Sequence, residues 1–392
     1  MIIKPLDSII NIASNKSFYN YVKELDKPVI RMKLLKLKTT AYSLLLCFSL
    51  VLLATQENVA QSGIFSKKNK LNQYSSVGLG GGTSHYFGDL SPYGYFYYGL
   101  ITNVRWNATI NYTRQLSPQI AARVGFTWAR VAGDDYTFSQ HNLDKLFQPY
   151  FLRNLHFRND IKEFTITGIF NLFPQYGNGK LQQARNRLMP YAMLGFGFYG
   201  HNPQARDVAT VDPATGKVTL GAWTSLKDKQ TSGQGINSSY PKAYSLIQPV
   251  FPVGLGIKFK LNEKFDLNLE TGLRITPFDY LDDVGHTDYP NPADLTAISP
   301  LSAAFANRAG EDYTATTGAS RVNDFTSIAI NKLNAAGSPT PSTNGTTLFG
   351  YGVISSDGMP LQRGTAKWDS YFVTQLTISY IISSNTKCPP IK

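Results

Sequence analysis

The chain has 392 residues, 42% hydrophobic and 13% aromatic but only 16% charged, with two cysteines. Two cysteines exclude a disulfide-stapled fold, and 23 Tyr with 23 Phe exclude a chain with too little to bury. The formal charge of +12 falls to +8 once residues 1–60 are set aside, and the remaining Lys and Arg form no basic stripe. Nucleic acid is therefore not a predicted partner. No apolar run reaches the roughly 18 residues of a helical span, so the composition points to an all-β chain, with a membrane barrel as one form.

Residues 1–31 read as an extension upstream of the true start. Met32 opens a better one: Lys33, Lys36 and Lys38 precede an apolar core, Ala41 to Ala54, and a polar TQENVAQS. That is a secretory signal peptide over 32–60, with a core too short to anchor, and cleavage is expected after Ala60. Cys47 falls inside the leader, leaving Cys388 as a tolerated thiol in the tail. The predicted layout is a periplasmic segment 61–73, a barrel 74–382 and a periplasmic tail 383–392.

Strict alternation, the signature of a sheet with two unlike faces, marks the strands. Tyr74–Tyr86 is Gly- and aromatic-rich. In Thr102–Thr113, Val104, Trp106, Ala108, Ile110 and Tyr112 oppose Asn103, Arg105, Asn107, Thr109 and Asn111. Ile120, Val124, Phe126 and Trp128 oppose Arg123 and Thr127. Phe164, Ile166, Phe170 and Leu172 oppose Glu163, Thr165, Thr167 and Asn171. Leu188–Tyr199 follows, then Phe251 to Phe259, then Phe265–Thr276 with Asp266, Asn268, Glu270 and Arg274 on its polar face. Phe372–Tyr380 ends the series. These eight strands suit the roughly 9–11 residues of a tilted bilayer crossing.

The connections alternate between short (116–118, 175–187, 261–264) and long (87–101, 134–160, 200–245, 279–366). Short periplasmic turns and long outer loops are the outer-membrane pattern. The predicted fold class is all-β: an eight-stranded antiparallel up-and-down transmembrane β-barrel in the cell outer membrane, with lipid as its surroundings. A soluble sandwich would leave the one-sided loops and inward charges unexplained. Eight strands give a bore that side chains fill. Arg105, Arg123, Glu163, Lys258, Glu270 and Arg274 should point into it and pair; a conducting pore is the alternative. The last loop, about 280–365 and rich in Ala, Thr, Ser, Asn, Pro and Gly, is expected to be mobile.

Little in the sequence suggests chemistry. Gly78, Gly80, Gly81 and Gly82 lack the Lys-Ser/Thr of a phosphate loop and read as a bent, close-packed strand. His85, His141, His156, His201 and His286 lack zinc spacing and read as solvated loop residues. Ser84 and His85, as strand neighbours, face opposite ways and cannot form a dyad. Asp279, Asp282, Asp283 and Asp288 lie at the root of the longest loop, matched by Asp134 and Asp135 after the third strand. Calcium is one reading of Asp279, Asp282, Asp283, Asp134 and Asp135, but a calcium-loop spacing is missing, so loop-root hydrogen bonding is preferred. No catalytic residue, cofactor or small-molecule substrate is predicted.

Six stretches carry a resemblance: GGGTSHYFGDL (80–90), AGDD (132–135), RNLHFRNDIKEF (153–164), PYAMLGFGFYGHNPQA (190–205), FPVGLGIKFKLNEKFDLNLETGLRITPFDYLDDV (251–284) and WDSYFVTQLTISY (368–380). In this order they resemble the PorG-like outer-membrane barrels of the type IX secretion system. The long loops at 206–240 and 290–362 depart from that family. The resemblance implies a non-enzymatic scaffold that contacts the periplasmic ring proteins of the secretion system. On that expectation Lys180, Arg185 and Arg187, in the longest turn, are the candidate ring contacts. A surface receptor or adhesin acting through the long loops is the alternative, with a barrel lipid hydrolase behind it.

Overall fold

Alternating residues pair into eight long strands: β1 (Ser75–Phe87), β2 (Arg105–Gln115), β3 (Ile120–Asp134), β4 (His156–Asn171), β5 (Leu188–Gly200), β6 (Ile247–Lys260), β7 (Phe265–Ile275) and β8 (Ser370–Ile382). Each is antiparallel to the next, and β8 returns to β1 from Ser75↔Ile382 to Phe87↔Ser370, which closes the barrel. All eight predicted strands are present. The computed structural model describes residues 74–91, 96–139, 148–173, 186–285, 288–322 and 363–382. The leader, Cys47, Cys388, the upstream extension and both periplasmic terminal segments lie outside the described residues.

The barrel is inside out. Leu79, Ile110, Phe126, Phe164, Ile166, Leu194, Phe196, Leu255, Leu269, Leu376 and Ile378 face outward and are exposed. Their strand neighbours Asn107, Thr109, Asn111, Thr127, Thr165, Asn268, Gln375 and Thr377 face inward and are buried. Period-2 geometry produces both faces from one pattern.

Gly82 shows why β1 is rich in glycine. A Cβ there would stand 2.0 Å from the Thr374 carbonyl oxygen of β8, so that the two strands approach closely only without a side chain. The turns at this end are tight: Leu116 N–H donates to the Ile120 carbonyl at 2.9 Å, and Leu261 N–H to that of Phe265 at 3.0 Å.

At the other end the strands outrun the alternation. β3 continues to Asp134, and β4 begins at His156, eight residues before the first apolar member of its sequence pattern. Ala132, Asp134, His156 and Phe157 are all buried, because folded loops cover the wall there as well as the bore. A strand buried on both faces loses the two-faced pattern. The loop after β5 adds two short strands: Pro203–Arg206 pairs with β4, and Trp223–Ser225 pairs with it in turn.

The expected mobility of the last loop is corrected in its first half. The earlier loops hold short helices α1 (Phe96–Thr102), α2 (Asp135–Ser139) and α3 (Gln148–Arg153), and residues 288–322 hold two capped ones, α4 (Pro292–Ile298) and α5 (Pro300–Ala306). Each starts with Pro after an N-cap, Asn291 or Ser299, whose side chain accepts a backbone N–H two residues on. Leu295, Phe305 and Ala306 are buried, which anchors an otherwise polar segment. Residues 323–362 lie outside the described residues.

Candidate functional site

Inward-facing residues from five strands close the bore in two layers. In the first, Arg123 of β3 lies 2.6 Å from Glu270 of β7. The Tyr191 hydroxyl and Gln375 Nε2 (2.8 Å) also donate to Glu270. In the second layer, Tyr371 donates to Glu163 at 2.5 Å, and Arg274 approaches the same carboxylate at 3.5 Å. Four of the six predicted lumen charges thus pair across the barrel. Arg105 and Lys258 are half-buried and do not join these pairs. Arg105 turns to the Val104 carbonyl (2.7 Å), and Lys258 stands 6.0 Å from the centroid of the Tyr191 ring.

Above these layers the bore is apolar. Tyr86, Val131, Phe157, Ile161, Tyr199, Val250, Tyr371 and Val373 form a buried cluster with Leu281 and Val284 of the last long loop. Inward positions near the long-loop end meet protein rather than confined water, so apolar side chains suit them.

The loops over this end are tied by four buried arginines. Arg153, at the end of α3 (Gln148–Arg153), grips Asp135, the first residue of α2 (Asp135–Ser139), with two bonds of 2.7 Å. It also donates to the carbonyls of Arg363 (2.7 Å) and Asp89 (2.9 Å). Arg363 reaches Thr231 (2.6 Å) and Ser232 (2.5 Å). Arg321 donates to the Phe151 carbonyl (2.6 Å), and Arg308 to that of Arg206 (2.6 Å). Guanidinium forks suit this task, since one side chain serves several loop carbonyls.

The calcium candidates separate into different roles. Asp134 accepts from Tyr136 N–H (3.0 Å), Thr137 and Thr316 (2.6 Å). Asp135 is spent on Arg153 and the Leu155 N–H. Asp283, in the left-handed region at φ 68°, accepts from Thr231 (2.5 Å), Gln234 (2.9 Å) and Tyr244 (2.7 Å). Asp288 is exposed. Among the described residues no three His, Cys, Asp or Glu side chains stand in a metal-holding arrangement.

Asp282 instead joins Asp369, two partners brought from distant sequence. The Tyr86 hydroxyl lies 2.6 Å from Asp282 Oδ2 and 2.9 Å from Asp369 Oδ1. A hydroxyl has one proton to donate, so full pairing needs a proton on one of the two carboxyls. Burial, then repulsion from neighbouring carboxylates, raises both above the usual carboxylate range. Asp279 is pushed up to about 8, first by burial and then by Asp282 and Asp89. Raised acids favour the fold in their protonated form. Their stabilisation is complete below about pH 4 and is lost as pH rises towards about 8. Limited proteolysis of the loops should accordingly be slower at pH 5 than at pH 8.5, and Asp282→Asn should flatten that difference. Equal rates at both pH values would remove this role from the cluster.

The histidine expectation is corrected. His85, His156 and His201 are buried rather than solvated. His156 Nε2 accepts the Arg206 N–H at 2.9 Å, and His201 Nδ1 lies 3.1 Å from Asn159 Nδ2. Burial lowers His201 to about 4, so it is neutral at pH 7. Ser84 turns inward to the Arg130 carbonyl while His85 turns outward, as their adjacency requires. His141, His286, Lys180 and Arg185 lie outside the described residues. Arg187 is exposed at the short-turn end, and its carbonyl accepts the Lys260 N–H at 2.9 Å.

The model of a domain of unknown function, DUF6089, matches residues 59–220. No curated protein matches the chain. Among solved structures, the N-terminal β-barrel domain of Pseudomonas aeruginosa OprF is similar at 7% identity, covering 79% of this chain and 98% of that one, with a TM-score of 0.24. Ail, the attachment invasion locus protein of Yersinia pestis, was solved with the heparin analogue sucrose octasulfate. It is similar at 10% identity, over 52% of this chain and 87% of its own, with a TM-score of 0.25. Neisserial surface protein A is similar at 9% identity, over 52% and 83%, with a TM-score of 0.25.

Proposed function

We propose that the chain is an outer-membrane barrel that works through its two ends as a scaffold, neither conducting nor catalysing. The observation that carries this reading is the filled bore. Arg123 and Glu270 meet across its middle at 2.6 Å, and an apolar cluster closes it above. The outward apolar belt supports placement in a bilayer, and the one-sided loops support an outer-membrane orientation.

The finer reading is an anchor for a type IX secretion system that contacts its periplasmic ring. The six sequence stretches support it, and the short-turn end around Arg187 is the face a ring would meet. Affinity capture of the tagged full chain from detergent-solubilised membranes should recover ring components, and deletion should reduce secretion. Capture without them, with secretion intact, would sink the anchor. A second reading, a surface receptor, is favoured by the long loops being folded and tied by Arg153, Arg308, Arg321 and Arg363.

A further inference from the structure

The outward wall is not uniform near its long-loop end. On β4 the lipid-side column runs Phe170, Ile166 and Phe164, then changes at once to Lys162, Asp160 and Arg158. Lys162 is exposed and sits opposite Trp128 of β3. Trp128 meets Trp106 of β2 edge to face at 5.1 Å, and the Arg130 guanidinium lies 5.6 Å from the Trp106 centroid. Interfacial tryptophans of this kind mark the headgroup level.

Four cations gather just above that mark against one carboxylate. Arg130 holds Asp160 through bonds of 2.6 and 2.8 Å, which leaves Arg158, Lys162 and Arg206 in excess. Arg158 and Arg206 both stack on Trp223, at 4.1 and 5.0 Å from its centroid. The ring thus spaces two like charges that would otherwise repel. Asp207, the nearest acid in sequence, accepts from Thr224 at 3.0 Å.

The outward positions of four other strands have nothing comparable. Outward positions at the same end are Thr83, His85 and Phe87 on β1, Ile247, Pro249 and Phe251 on β6, Leu273 and Ile275 on β7, and Ser370 and Phe372 on β8. None is a Lys or Arg. A general interfacial girdle would be spread over these strands, whereas their outward cations fall in the β3–β4 sector; off the strands, exposed Lys367 lies three residues before β8. Excess cations beside an apolar wall match one kind of neighbour: a lipid whose chains lie on the wall and whose phosphate stands above them.

Resting on the outer-membrane reading, we propose that Arg158, Lys162 and Arg206, spaced by Trp223, form a site for a phosphate-bearing lipid of the outer leaflet. Phe164, Phe198 and Trp128 bound it on the acyl-chain side.

The test uses the full mature chain refolded into phosphatidylcholine vesicles, with insertion checked first by the shift of the folded band on an unheated gel. Failure to insert would sink the membrane reading itself. With insertion secured, bisphosphorylated lipid A, its dephosphorylated form and inorganic phosphate are compared by melting temperature and by lipid retained on the purified barrel. The expected result is stabilisation and retention with the phosphorylated lipid alone. Arg158→Gln with Lys162→Gln should weaken retention roughly thirtyfold. Lys162→Gln alone, which changes one exposed side chain, is the check if the double variant fails to insert, and should weaken retention about fivefold. Equal retention of the dephosphorylated lipid, equal protection by inorganic phosphate, or undiminished binding by the variants would overturn the site.

Discussion

Glu270→Ala should destabilise the barrel by about 3–5 kcal/mol, because it leaves the Arg123 charge buried without a partner. Glu270 takes three donors at once, from Arg123, Tyr191 and Gln375, so its removal strips that acceptor from all three and leaves Arg123 only the neutral Thr113 hydroxyl. The effect comes from the charge left behind rather than from the value of the pair. Replacing both partners, as Arg123→Met with Glu270→Leu, should cost much less than the single change. Urea titration of the protein in lipid vesicles, read by gel mobility, measures both. A double variant as damaged as the single one would show that the lumen depends on something other than charge balance.

The same layer makes the case against a pore. Six inward charges could line a channel, and the sequence leaves that option open. The pairing of four of them argues against it: a carboxylate stands 2.6 Å from a guanidinium that reaches it from the opposite side of the bore. The pairing also explains why Arg123 and Glu270 sit on inward positions where Asn and Thr otherwise prevail. Only long side chains can reach across.

Strands were legible where one face meets solvent or lipid and the other the bore, since alternation then has a physical cause. That held for Arg105–Gln115 and Phe265–Ile275. It failed at the long-loop end, where Phe157 and His156 are both buried and the period disappears. The lumen charges were legible by parity alone, although Arg105 and Lys258 show that parity does not choose the partner. The cap was not legible, because its contacts join residues hundreds of positions apart. Tyr86 meets Asp369 across 283 positions, and Arg153 meets Arg363 across 210. Still, a local signal was present: Asp89 and Asp369 stand within two residues of a strand end, and Arg153 closes a helix. A charged residue in such a place can tie a loop as readily as it can hold a metal. Buried histidines were missed for a related reason, since nothing local announces that a loop will cover them.

Arg153→Ala should release the cap while sparing the barrel. Asp135 would lose two bonds of 2.7 Å and stay buried with only the Leu155 N–H as a donor. The cost expected for such a stranded charge is about 3–5 kcal/mol. It should fall on the loops, because Arg153 ties α2 to the Asp89 and Arg363 carbonyls and touches no lumen layer. Proteolysis within 206–240 and 288–322 should therefore accelerate at least tenfold, while the folded band on an unheated gel persists. Asp135→Asn with Arg153→Gln, which removes both charges and keeps neutral hydrogen-bonding groups, should recover much of the protection. A barrel that unfolds together with its loops would mean that cap and wall form one cooperative unit. Persistence of the barrel would leave the long loops free to vary around a wall that does not depend on them, which is what a surface-facing role requires.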